Sequence, residues 1–132
     1  MKHFRILTLM VITLLLFNCK DNNNSTVKVI TPDEMQTLLE LEEVQIVDVR
    51  TPEEYEHGFI NNSQNIDFMS PTFDEDIAKL DKSKPVILYC KSGGRSAKCS
   101  EKLEEAGFVK IYDLEGGITQ WQFEGREVKT FE

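Results

Sequence analysis

Cys90 and Arg95 bracket four residues, Lys91, Ser92, Gly93 and Gly94, and Ser96 follows directly. A cysteine, two cations and two glycines packed this closely are the ingredients of a thiolate held in an anion-binding loop. Backbone N–H groups brought together by a tight turn, the positive end of a following helix and the charges of Lys91 and Arg95 all favour a thiolate over a thiol. Such a cysteine is nucleophilic near neutral pH and needs no general base, because the attacking group is already ionised. A lone cysteine that ends a core strand is more often inert, but here the glycines and cations of the next five positions argue against that.

The flanking residues set where this loop must sit. Val86, Ile87, Leu88 and Tyr89 follow Pro85 and are β-favouring, while residues 96–106 have the composition of a helix, so the glycines occupy a strand-to-helix turn. Residues 27–30, 44–49, a short segment around Asn65 and Ile66, and 109–112 have the length and apolarity of further strands. Helices open at Thr31-Pro32-Asp33-Glu34, ending near Glu40, and again at Thr51-Pro52-Glu53-Glu54. Each start places a hydroxyl cap, then a proline where no donor is needed, then acids toward the positive helix end. Ser70-Pro71, with Ile77 and Leu80 beyond, predicts a third helix start, and residues 81–85 form the turn after it. Strands alternating with helices predict a parallel sheet covered on both faces, with functional loops at the strands' carboxyl ends. Asp48, Arg50, Cys90 and Asp113 all follow predicted strands and are expected on one edge.

The loop 90–96 resembles the active-site loop of the rhodanese superfamily of sulfurtransferases, in which cysteine and arginine bracket four residues. Asp48-Val49-Arg50-Thr51-Pro52-Glu53-Glu54-Tyr55 with Gly58 and Ile60 is similar to another signature of that family, and Glu115-Gly116-Gly117-Ile118 with Trp121 to its C-terminal one. The resemblance covers roughly residues 27–128. It implies a three-layer α/β fold whose central, mostly parallel five-stranded sheet is flanked by helices. It also implies that Cys90 accepts a sulfane sulfur as a persulfide and passes it on. Lys91 and Arg95 would draw in an anionic donor such as thiosulfate, and N–H groups from Lys91 to Ser96 would stabilise the thiolate, the persulfide and the departing anion. The acceptor would be a thiol or cyanide, with no cofactor and no metal. The family commonly has Gly-His-Ile where this chain has Gly58-Phe59-Ile60, so Phe59 is a packing variant and His57 an exposed helix residue.

Other residues have quieter readings. Lys91 fits a solvated loop lysine as well as a direct substrate contact. Asp48 and Arg50 either line the pocket or brace it, and bracing is preferred, with Arg50 pairing to Glu54 across the helix start. Cys99 shares a helix face with Leu103 and Ala106 and is expected in the core; a disulfide to Cys90 would require the two side chains to converge, and helical spacing points them apart. Trp121 is expected in core or lid packing, and the acidic runs 40–43 and 74–76 on the solvated surface.

Residues 1–18 have the pattern of a bacterial lipoprotein signal. Lys2, His3 and Arg5 precede an apolar run from Ile6 to Phe17, too short for a comfortable membrane span, and Leu16-Phe17-Asn18-Cys19 resembles a lipobox with a bulky residue before the cysteine. Cys19 is the expected lipidation site, residues 19–26 a polar tether, and residues 27–132 the folded domain. The expected location is the cell envelope, lipid-anchored and facing the periplasm or exterior. Removal of Lys2 and Arg5 with the signal leaves 13 basic against 23 acidic residues, a formal charge of −10. That excess argues against nucleic acid as a partner. A domain of this size is expected to act as a monomer.

Two other chemistries compete. Cysteine phosphatases and arsenate reductases hold a tetrahedral oxyanion in a related loop, but phosphatase loops place five residues between cysteine and arginine, and the four here make a smaller cradle. A sulfur-carrying or redox-sensing domain without useful turnover would keep the same residues.

Overall fold

The computed structural model describes residues 25–131, so the expected signal, Cys19 and nearly all of the tether lie outside the described residues. Five strands, β1 Val27–Ile30, β2 Gln45–Asp48, β3 Ser63–Asn65, β4 Val86–Tyr89 and β5 Ile111–Leu114, form one sheet in the order β1-β5-β4-β2-β3. Every pairing is parallel. The helices are α1 Pro32–Leu41, α2 Pro52–Glu56, α3 Phe73–Ile77, α4 Gly94–Glu105 and α5 Gly117–Phe123. The fold is thus α/β, with the sheet between two helical layers.

Strand alternation divides the core in two. Val47, Leu88, Cys90 and Ile111 pack with Phe73 and Ile77 of α3 and with Cys99 and Leu103 of α4. Ile46, Ile87, Tyr89, Tyr112 and Leu114 pack on the opposite face with Met35 of α1 and with Ile118 and Trp121 of α5. β4, at the centre, is buried along its whole length, as a parallel strand covered on both faces must be. It delivers Cys90 to the carboxyl edge.

Helices α1 and α2 begin as expected, each with a complete capping box from Thr31 to Glu34 and from Thr51 to Glu54 and a proline in the first turn. Several boundaries differ from the sequence reading, including those of α3, α4 and β5. α3 starts after Thr72, because Ser70 and Pro71 belong to a turn in which the Phe73 amide donates to the Ser70 carbonyl at 3.2 Å. α4 starts at Gly94, so the second loop glycine is already helical. β5 starts two residues later than expected: the Val109 amide donates to Lys82 O, and pairing begins where Ile111 N donates to Thr26 O at 2.9 Å. Asp113 therefore lies inside β5, and Asp48 is likewise the last residue of β2, so neither follows its strand as expected.

Candidate active site

The loop is shaped by backbone before any side chain acts. Gly93 precedes α4 with φ 114°, a conformation that L side chains rarely adopt, and this turns its amide back toward the cysteine. Gly93 N donates to Cys90 Sγ at 3.0 Å. Ser96, buried in the first turn of α4, places its hydroxyl oxygen 3.5 Å from the sulfur and donates to Gly93 O at 3.2 Å. Burial alone would raise the Cys90 pKa, but the Ser96 hydroxyl and the amides of Ser96, Gly93 and Ser92 outweigh it and lower the pKa overall. These contacts favour the charged form of a cysteine that leaves only 1% of its surface exposed.

The other wall comes from α5. Ile118 N donates to Cys90 O at 2.9 Å and Thr119 N to Lys91 O at 3.0 Å, which ties the loop to the start of that helix. Beside it opens a cleft of about 450 Å³ lined by residues that include Arg50, Glu53, Glu54, His57, Lys91 and Gln122. Lys91, Ser92 and Gly94 are exposed at the surface of the loop.

The charged residues pair differently from the sequence reading. Arg50 does not reach Glu54; its guanidinium folds back on the buried Asp48 carboxylate, with Nη2 to Oδ2 at 2.6 Å and Nε to Oδ1 at 3.0 Å, and donates to Gly58 O at 2.7 Å. Asn65 Nδ2 donates to the carbonyls of Asp48 and Arg50, at 3.0 and 2.8 Å, and fixes the same corner. Asp48 and Arg50 therefore brace the edge of the site, with a different partner from the one expected. Glu54 is free of Arg50 because its carboxylate is committed elsewhere. It accepts from both ends of the Arg95 guanidinium, at 2.6 Å from Nη1 and 2.8 Å from Nη2, while closing the capping box on Thr51 N at 3.0 Å. The Arg95 hydrogen bonds, helped by the Thr51 amide, hold its carboxyl at about 2.

Two further groups lie beneath the loop on the α4 face. Cys99 is fully buried, and burial pushes its thiol up to about 12. Neither Cys90 nor Cys99 is in a disulfide. Asp113 is 7% exposed, its Oδ1 lacks a hydrogen-bond partner, and burial raises its pKa.

The rhodanese-like domain family matches residues 31–124, which covers the strands, loop and helices just described apart from β1. The chain belongs to the rhodanese-like domain family. A rhodanese-like domain protein from Staphylococcus aureus, 36% identical, superposes with a TM-score of 0.68 over 80% of this chain and 99% of that one. Thiosulfate sulfurtransferase 16 of Arabidopsis thaliana is 34% identical over 93 residues, 63% of this chain and 78% of its own. A probable adenylyltransferase/sulfurtransferase of Mycobacterium tuberculosis is 36% identical over 93 residues, 70% of this chain but only 24% of its own, so the chain spans about a quarter of that relative's length.

Within this rhodanese-like domain the loop residues 90–96 and the pair Asp48 and Arg50 are gathered at one edge of the sheet, as expected from strand order. His57 is exposed at the end of α2, and Phe59 stacks on Tyr55 with ring centroids 4.5 Å apart, a packing role. Trp121 is buried. The Glu54–Arg95 clamp was not anticipated; its one sequence signal was an acid at the third helical position, which capping already explained. Asp113 was anticipated at the edge but not as a buried acid, although an aspartate inside the run Ile111-Tyr112-Asp113-Leu114 is itself a signal.

Proposed function

We propose that this rhodanese-like domain is a sulfurtransferase that carries sulfane sulfur as a persulfide on Cys90. The observation that carries this reading is the geometry at Cys90 Sγ, which lies 3.0 Å from the Gly93 amide and 3.5 Å from the Ser96 hydroxyl oxygen at the carboxyl edge of the sheet; these contacts favour the thiolate. With thiosulfate, the Cys90 thiolate attacks the sulfane sulfur, one S–S bond forms, the sulfur–sulfonate bond breaks, and its electron pair leaves with sulfite. The persulfide then gives its outer sulfur to a thiol or cyanide, and Cys90 is regenerated as the thiolate. Gly93 N steadies the charge on the cysteine sulfur, and the Ser96 hydroxyl, 3.5 Å away, adds to it by turning its proton from Gly93 O to the thiolate; Lys91, Ser92, Gly94 and Arg95 form the rim through which donor and acceptor approach. The likeness to a thiosulfate sulfurtransferase supports the reaction class.

The test is intact-protein mass spectrometry after incubation with thiosulfate. A gain of about 32 Da, the mass of one sulfur, is expected on wild type and absent from Cys90→Ser. Persistence of the added mass in Cys90→Ser, or its absence from wild type whichever sulfane-sulfur donor is supplied, overturns the proposal. Aryl-phosphate hydrolysis without sulfur transfer would favour phosphatase chemistry instead.

We further propose that residues 1–18 direct export and that Cys19 carries lipid, so that the domain works in the bacterial cell envelope. The apolar run stopping at a cysteine supports this. Metabolic labelling with a lipid analogue is expected to mark wild type and not Cys19→Ala; equal labelling of both refutes it.

A further inference from the structure

The mouth of the site is not the cationic funnel that its sequence advertises. Arg50, Lys91, Glu53 and Glu54 line the cleft, and behind them Arg50 meets the buried Asp48 and Glu54 meets Arg95, so three cations face three acids. Arg50 is spent on Asp48 and Arg95 on Glu54. Among the described residues Lys91 alone of the three is in no ion pair. The formal charge at the mouth therefore sums to zero on a chain that is −8 overall, which offers little attraction to a dianion.

The Glu54 carboxylate is poorly placed to be displaced by substrate. It grips Arg95 through two charge-assisted hydrogen bonds in the fork geometry, and it is pinned from behind by Thr51 N, so releasing the arginine would cost both. We infer that Glu54 is a donor-selecting residue: by occupying Arg95 it turns the site away from dianionic donors of the thiosulfate type and toward hydropersulfides. This rests on the sulfur-transfer reading above. The two donors make different demands. Thiosulfate brings two negative charges and releases sulfite. A hydropersulfide, R–S–SH, gives its outer SH to the Cys90 thiolate: the Cys90 S–S bond forms, the donor S–S bond breaks, and the electron pair leaves on RS⁻ with one charge throughout. Amides and a single lysine suffice for that smaller charge, whereas sulfite release would call on Arg95.

Glu54→Gln tests the inference, since glutamine at this position can still close the capping box while losing the charge that holds Arg95. Persulfide formation on Cys90 is followed with thiosulfate and with an alkyl hydropersulfide that bears no other charged group. Wild type is expected to use the hydropersulfide with the higher kcat/KM. Glu54→Gln should raise kcat/KM for thiosulfate on the order of tenfold, mainly through KM, as expected for gaining one hydrogen bond to a charged group. Its kcat/KM for the hydropersulfide should change by less than about twofold, because that donor gains no such bond. Adding Arg95→Gln to Glu54→Gln should cancel the gain. Glu54→Asp keeps an acid in the first turn but withdraws it from the guanidinium, and should move the donor ratio the same way by less; it also serves if the glutamine variant does not fold. A donor ratio unchanged in both Glu54 variants, or a gain that survives Arg95→Gln, overturns the inference while leaving sulfur transfer intact. Failure of Cys90 to acquire sulfur from either donor overturns both.

Discussion

Gly117 faces the carbonyl of Cys90 with no side chain between them. A Cβ at residue 117 would stand 2.5 Å from Cys90 O and 2.6 Å from Lys91 O, and the residue has φ 58°. The start of α5 can donate its amides to the loop only because this position is glycine. Gly117→Ala is therefore expected to destabilise the domain by roughly 1–3 kcal/mol through backbone strain and to displace Cys90 from its amides. Urea unfolding with a parallel sulfur-transfer assay checks both effects; a variant with wild-type stability and rate would show that the contact is dispensable.

The Asp48–Arg50 pair is buried on both sides, with side-chain exposures of 0% and 8%. Removing one partner leaves a charge without compensation, at a cost of about 3–5 kcal/mol. Arg50→Met should thus be more damaging than its distance from the sulfur suggests, and thermal unfolding is the measurement. A loss below about 1 kcal/mol, the size typical of an exposed pair, would mean that solvent already screens the pair.

Ser96 contributes to the acidity of Cys90, so its removal has a definite sign. Ser96→Ala should move the Cys90 pKa upward, and alkylation by iodoacetamide, which follows the thiolate fraction, should reach half its plateau at a higher pH than in wild type. An unshifted profile would assign the acidity to the backbone amides alone.

Cys90 and Cys99 should separate by reactivity. Below pH 9 native protein is expected to be alkylated at Cys90 while Cys99, pushed up to about 12 in the core, is modified only on unfolding. Peptide mapping after brief labelling reads this directly, and early modification of Cys99 would reveal an opening of α4.

Glu54 links the clamp to acid stability. Its folded pKa of about 2 lies below the ordinary 4.5, so its contribution is complete above pH 4.5 and is lost as the pH falls toward 2. The gap in Tm between wild type and Glu54→Gln should accordingly narrow across that window; a constant gap would mean that the carboxylate adds nothing beyond its cap. The pair is partly exposed, which keeps the expected gap small.

What the sequence made legible was local. The two Thr-Pro helix starts are complete within four residues each, and both capping boxes formed as expected. The loop could be placed because a buried strand, two glycines and a helix are contiguous around Cys90. What stayed hidden depends on partners far along the chain. The run from Phe108 to Leu114 offers several possible strand registers, and the pairing of Ile111 with Val27 selects the later one, leaving Val109 61% exposed. The partner of Arg95 lies 41 residues away, and the nearer Arg50 gave Glu54 a plausible neighbour that Asp48 had already claimed. Charge type was readable from the sequence; charge pairing was not.

The all-parallel sheet also fixes a polarity for the whole molecule. Every strand runs from the pole where Val27 enters to the pole where Cys90 emerges, and four-residue strands separate these poles by about 13 Å. Anything joined upstream of Ser25 therefore attaches at the end remote from the reactive sulfur. If the chain is held at a surface by that end, the sulfur faces outward, within reach of partners that never approach the surface themselves.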